Sequence, residues 1–226
     1  MVWKKLMGLM ALFCDAGQSL EAAYEHTLKG AYDKCPVIIV SELAYGLENS
    51  TLQELKNYVE NGGNLVIIGS NTCKIFAENG FGFKSDYYTT PPELPGFANC
   101  DVGHDFSTLK TSMPSYFSLF DGKIGSATGA SSVIPEGADS KVLGNLYNNV
   151  REENGTPFAQ IFNFKKGKIA AVGMDLGTHY NESMQYLHRE LIKNIVNEMY
   201  TPIAKISPFK EIHPYEALAK SQAFFN

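Results

Sequence analysis

No apolar run of about 18 residues or more occurs in the chain, which argues against a membrane-crossing helix. Nor does any C-x-x-C pair occur: Cys14, Cys35, Cys73 and Cys100 stand far apart. That spacing gives no zinc motif and fits buried free thiols, with one disulfide still open. It tilts localisation towards the cytoplasm over secretion. Basic residues form only the pairs Lys4–Lys5 and Lys165–Lys166 in a chain of net charge −5. A nucleic-acid partner is therefore not expected. No motif asks for a cofactor. What remains is 226 residues, 44% hydrophobic and 19% charged, enough for one large globular domain or one domain with an appendage.

The opening "MVWKKLMGLMALFC" has the two lysines and apolar run of a secretory leader but no small-residue cleavage site. It reads as an amphipathic helix over residues 2–13, closed by Asp15-Ala16-Gly17. "SLEAAYEHTL" has helical composition, yet its place before a strand also allows a short edge strand. "CPVIIVSEL" is β-branched and continuous, as in a strand buried on both faces. "STLQELKNYVENGGNLVIIGS" is the most legible stretch. Ser50 with Gln53, or Thr51 with Glu54, can form a capping box. Leu52, Leu55, Tyr58 and Val59 make one apolar helix face. Gly62-Gly63 ends the helix, and residues 65–68 form the next buried strand. Strand, helix and strand with so short a return make a right-handed βαβ unit.

Residues 84–140 are rich in Pro, Gly, Ser and Tyr and read as a loop-rich insertion. Order returns with "KVLGNLYNN" as a strand, then "PFAQIFNF", "KKGK" and "IAAVGMD" as a β-hairpin. "NESMQYLHRELIKNIVNEMY" reads as one helix capped by Asn181, with Met184, Leu187, Leu191, Ile195 and Val196 buried and His188 exposed. Residues 1–205 are expected to form an α/β domain, and 206–226 a linker or tail.

"LMALFCDAG", "VIIVSEL", "LQELKNYVENGGNLVIIG" and "GKIAAVGMDLG" with the terminal helix resemble the class I glutamine amidotransferase-like domains. The similarity is to the accessory type found in glycoside hydrolases, such as the β-galactosidase trimerisation domain. It covers roughly residues 1–75 and 140–203. It implies a flavodoxin-like, open, mostly parallel sheet with helices on both faces. In that family a first strand precedes the first helix. Here the chain opens on the helix, so a first strand is missing and part of a larger protein is expected.

The same resemblance implies a nucleophilic cysteine on a sharp strand-to-helix turn, with a histidine and an acid from a later strand. A nearby helix N-terminus would lower the thiol pKa. Here the turn reads Gly69-Ser70-Asn71-Thr72-Cys73, so Ser70 stands nearest the nucleophile's place and Cys73 lies about three residues beyond it. His179 and Glu182 echo the histidine and acid with altered spacing. The bland reading makes Cys73 a small core residue, His179 a loop histidine, and Glu182 a charge that favours a helix N-terminus. Asp175, after a strand, occupies the place where open α/β sheets bind ligands; it equally suits a capping role. Tyr87 and Tyr88, with Tyr116, Phe117 and Phe120, could stack on sugar rings or form a satellite core. Asp101, His104 and Asp105 read as a hydrogen-bonded turn rather than a metal site.

The expectation is a non-catalytic accessory domain of a carbohydrate-active enzyme, serving oligomerisation or shaping an active-site rim. Its partners would be carbohydrate through the parent enzyme, and further copies or neighbouring domains. A Cys- or Ser-dependent hydrolase and a sugar-binding or scaffold module are the alternatives.

Overall fold

The computed structural model describes residues 2–41, 46–86, 106–109, 123–126, 130–137, 139–147, 156–183 and 186–201. Helix α1 spans Val2–Asp15. It ends where Gly17, at φ 76°, donates its N–H to the Cys14 carbonyl. The ambiguous segment after it is neither a full helix nor a strand. It holds one 3-10 turn at Glu25–Thr27, and a short helix α2, Lys29–Tyr32, follows it.

Strand β1 (Ile38–Ser41) leads through helix α3 (Asn49–Glu60) into strand β2 (Asn64–Ile68). The two strands pair in parallel, Ile38 against Leu65 and Ser41 against Ile68. The expected βαβ unit is present. Its capping box is not: Glu48 is the N-cap and makes no side-chain cap bond, while Ser50 Oγ donates to the Glu48 carboxylate. Gly62 supplies the positive φ, 110°, that ends α3.

Helix α4 (Ser70–Glu78) follows β2 directly. Short strands β3 (Phe83–Lys84), β4 (Phe106–Leu109), β5 (Lys123–Ser126) and β6 (Ile134–Pro135) come next. Strands β7 (Ser140–Tyr147), β8 (Thr156–Phe164) and β9 (Gly167–Val172) complete the set. The β8–β9 hairpin forms as expected, turning at Lys165 with φ 55°. The final helical region holds α5 (Leu176–Ser183) and α6 (Tyr186–Met199), with residues 184–185 outside the described ones. Asn181 therefore lies inside α5 and is not a cap.

The main sheet runs β1-β2-β9-β8-β7-β4-β5. Only β1–β2 and β2–β9 are parallel. The other four pairings are antiparallel. The sheet is mixed where a mostly parallel one was expected, because the hairpin reverses the chain and β7, β4 and β5 extend from it. Among the described residues β1 has one strand neighbour, β2. As an edge strand it buries only Ile38 well, with Ile39, Val40 and Ser41 half-buried.

Period-two alternation sends β2 and β9 into two cores. Val66, Ile68, Ala170 and Val172 face α1, α5 and α6. Leu65, Ile67, Ile169 and Ala171 face α3 and α4. Leu65, Val66, Ile67 and Ile68 are at most 1% exposed, each contributing about 1.5–3 kcal/mol of burial. Helix α1 comes so close to α5 that a Cβ at Gly8 would stand 1.9 Å from the Gly177 carbonyl oxygen.

Candidate functional site

The carboxyl ends of β2 and β9 meet where the chain turns into α4. The Gly69 N–H donates to the Val172 carbonyl at 2.9 Å. Gly69, at φ 111°, carries the turn's left-handed conformation, so Ser70 sits in the first helical position without that strain. The Ser70 N–H donates to Asp175 Oδ1 at 3.0 Å. Asp175 Oδ2 accepts from Lys5 Nζ of α1 at 3.1 Å. An internal carboxylate thus occupies the positive end of α4, with a half-buried ammonium balancing it.

Serines close this junction from the side of β6. The Ser131 N–H donates to the Gly173 carbonyl at 2.6 Å. Its hydroxyl lies 3.5 Å from the Ser70 carbonyl oxygen and accepts from Ser85 Oγ at 3.1 Å. A Cβ on Gly173 would stand 2.1 Å from the Ser131 carbonyl oxygen, so only glycine fits there. Ser70 is 4% exposed. Its Oγ is enclosed and has no hydrogen-bond partner among the described residues, a penalty of about 1–3 kcal/mol.

The other predicted residues are more dispersed. Cys73 belongs to the core shared by α3 and α4 and is wholly buried. Its Sγ is 4.0 Å from the Ile67 carbonyl oxygen. Burial pushes the thiol pKa far up, with the Asp175 charge adding to the rise against a backbone contact at Val172. His179 is buried within α5, where a loop residue was one expectation, and its N–H donates to the Asp175 carbonyl at 3.0 Å. Its ring meets His188 of α6 edge-on at 6.0 Å. The structure brings Ser70 to Asp175. It places Cys73 and the His179–His188 pair with cores on opposite faces of the sheet. His188, expected to be exposed, is 2% exposed, because α6 turns that face inward. Glu182 lies on α5, with its side chain outside the described residues. Tyr87, Tyr88, Asp101, His104, Asp105, Tyr116, Phe117 and Phe120 also lie outside them.

The buried thiol ties stability to alkaline pH. In the fold Cys73 keeps its proton where the unfolded chain loses it. That contribution is intact below about pH 8.5 and declines as pH rises further. Tyr180 acts in the same sense at higher pH: burial, then its hydrogen bond to Asp15, pushes the phenol up to about 12. The urea midpoint is therefore expected to fall progressively above about pH 9, and Cys73→Ala to remove the first part of that fall. A midpoint unchanged between neutral and strongly alkaline pH would contradict the enclosure of both groups.

A second concavity was not foreseen. At the amino ends of β1 and β2 a cleft of about 780 Å³ is lined by Tyr32, Tyr58 and Tyr200 with Asn57 and Asn61. Tyr58 had signalled only an apolar helix face. Tyr32 and Tyr200 come from segments remote from it in sequence, so no local pattern joins the three.

No helix among the described residues is long and apolar enough to cross a membrane. No family model matches the chain, and no curated protein matches it. Solved structures do match in fold. An α-L-fucosidase (isoenzyme 2) from Paenibacillus thiaminolyticus is 11% identical, with a TM-score of 0.58 over 87% of this chain and 29% of its own. An exo-β-1,4-mannosidase from Opitutaceae bacterium strain TAV5 is 13% identical, with a TM-score of 0.55 over 88% of this chain and 31% of its own. A cytoplasmic protein of Salmonella typhimurium LT2 is 13% identical, with a TM-score of 0.56 over 86% of both chains. The chain thus spans less than a third of the two glycoside hydrolases, and the likeness is one of fold.

Proposed function

We propose that this chain is an amidotransferase-like α/β domain that serves a larger carbohydrate-active enzyme as a non-catalytic, association-forming unit. The observation that carries the reading is the sealed turn at Ser70. Where an amidotransferase would hold an accessible nucleophile, Asp175 fills the helix N-terminus. Cys73 is wholly buried, with its pKa raised instead of lowered. A thiol in that state supplies almost no thiolate at neutral pH. The two glycoside hydrolases that share the fold along less than a third of their lengths support the carbohydrate context. Fold analogy is the whole of that support.

Helix α1 supports the association role. Leu6, Met7 and Met10 are 40%, 46% and 39% exposed, and Cys14, one turn beyond Met10, is exposed too. Spacings of three and four place Leu6, Met10 and Cys14 on one stripe beside Met7. Methionine suits such contact surfaces because its side chain adapts to its partner.

The test combines turnover with mass. The purified chain is expected to hydrolyse neither glutamine, nor an aryl ester, nor aryl glycosides. In sedimentation equilibrium it is expected to self-associate, and Met7→Lys with Met10→Glu to return it to a monomer. Turnover abolished by Ser70→Ala or His179→Ala would replace this reading with the hydrolase one, which the partnerless Ser70 hydroxyl favours. A monomer at all concentrations would remove the association role.

A further inference from the structure

The cleft at the amino ends of β1 and β2 has the composition of a ligand site, and it lies at the opposite end of the sheet from Ser70. Its volume of about 780 Å³ falls within the usual range for small-molecule clefts, roughly 300–1,000 Å³. One wall is a fixed aromatic pair. The rings of Tyr32 and Tyr58 stack with centroids 5.0 Å apart and planes at 21°. Tyr58 is anchored by its hydroxyl, which accepts the Asn64 N–H at 3.3 Å. Gly63 packs against the same ring, where a Cβ would come within 2.3 Å. The wall is therefore held before anything binds, which lowers the ordering cost of binding.

Polar capacity is left over around that wall. The Asn57 amide oxygen accepts from Gln53, leaving its NH₂ as a donor. The Asn61 amide nitrogen donates to the Asn57 carbonyl, leaving its oxygen as an acceptor. Burial is the main cause that raises the pKa of both phenols, so they add no charge to the wall.

Charge in the lining cancels. Lys29 pairs with Glu54 at 3.2 Å, and Asp33 stands beside Lys34. A phosphate, a carboxylate or a cation gains no net attraction there. Aromatic surface with mixed donors and acceptors and no net charge matches a pyranose, which offers an apolar C–H face and a rim of hydroxyls.

We propose that this cleft is a binding site for a neutral saccharide. The proposal rests on the lining alone, not on the accessory role. Association or its absence leaves it untouched.

The experiment is calorimetric titration of the full chain with cellotriose, mannotriose, xylotriose and galactobiose, with inorganic phosphate and adenosine as counter-probes. At least one saccharide is expected to bind in the millimolar range or tighter. Asn57→Ala and Asn61→Ala are each expected to weaken it about fivefold, the worth of one hydrogen bond. Both side chains are exposed, so both variants should stay folded, with cooperative melting as the check. Absence of heat with all four saccharides overturns the proposal. So does binding unaltered in both variants, or binding of phosphate or adenosine in their place.

Discussion

Gly8→Ala is expected to destabilise the protein by about 3 kcal/mol. Two effects oppose each other. Alanine is the better helix former by about 1 kcal/mol, which would favour the change at an open position. Here the new Cβ would meet the Gly177 carbonyl oxygen at 1.9 Å and Asn181 Cβ at 2.8 Å. The first of these is helix backbone and cannot swing aside as a flexible side chain would. Overpacking of this kind costs typically 1–3 kcal/mol and occasionally more, so the overlap wins. Relief requires α1 to move off α5, which strains the Lys5–Asp175 ion pair and the hydrogen bond from Tyr180 to Asp15. Urea denaturation should show a lower midpoint with an unchanged slope. A variant as stable as the parent would mean that α1 does not approach α5 this closely.

Phe76→Ala is expected to cost about 3–5 kcal/mol, as full truncations of buried aromatics do. Phe76 projects from α4 into the core on the other face of the sheet and is wholly buried. Its ring meets Phe81 with centroids 4.7 Å apart at 59°. Truncation removes that contact and leaves a cavity that Phe83 and Val133, at most 2% exposed, are too confined to fill. The milder Phe76→Leu should fall between the parent and the alanine variant. Because Gly8 and Phe76 act on cores separated by the sheet, Gly8→Ala with Phe76→Leu should be additive to about 0.5 kcal/mol. A larger coupling would show that the two cores do not respond independently.

The sheet's parallel half was legible because its signals are local. The stripe of Leu52, Leu55 and Val59, the Gly62 stop and the run into Ile68 set a helix and a strand whatever lies elsewhere. The hairpin around Lys165 was legible for the same reason. Strand order was not. Whether β7 and β4 continue the sheet beyond β8 depends on closing long loops, and no short-range pattern encodes that closure.

The candidate site divides along the same line. Gly69 before Ser70, and Asp175 after a strand, could be read from the chain as features of strand ends. That the Asp175 carboxylate takes the Ser70 N–H while Lys5 neutralises it was decided only by packing α1 against the same sheet end. The burial of His188 and the meeting of Tyr32, Tyr58 and Tyr200 in one cleft were decided in the same way. By itself the sequence determined the elements, their polarity and the residues able to carry chemistry, since helical and strand periods are properties of neighbours. The tertiary structure alone decided which of those residues meet, which face water and which thiol keeps its proton. Those outcomes depend on burial and distance between segments remote along the chain.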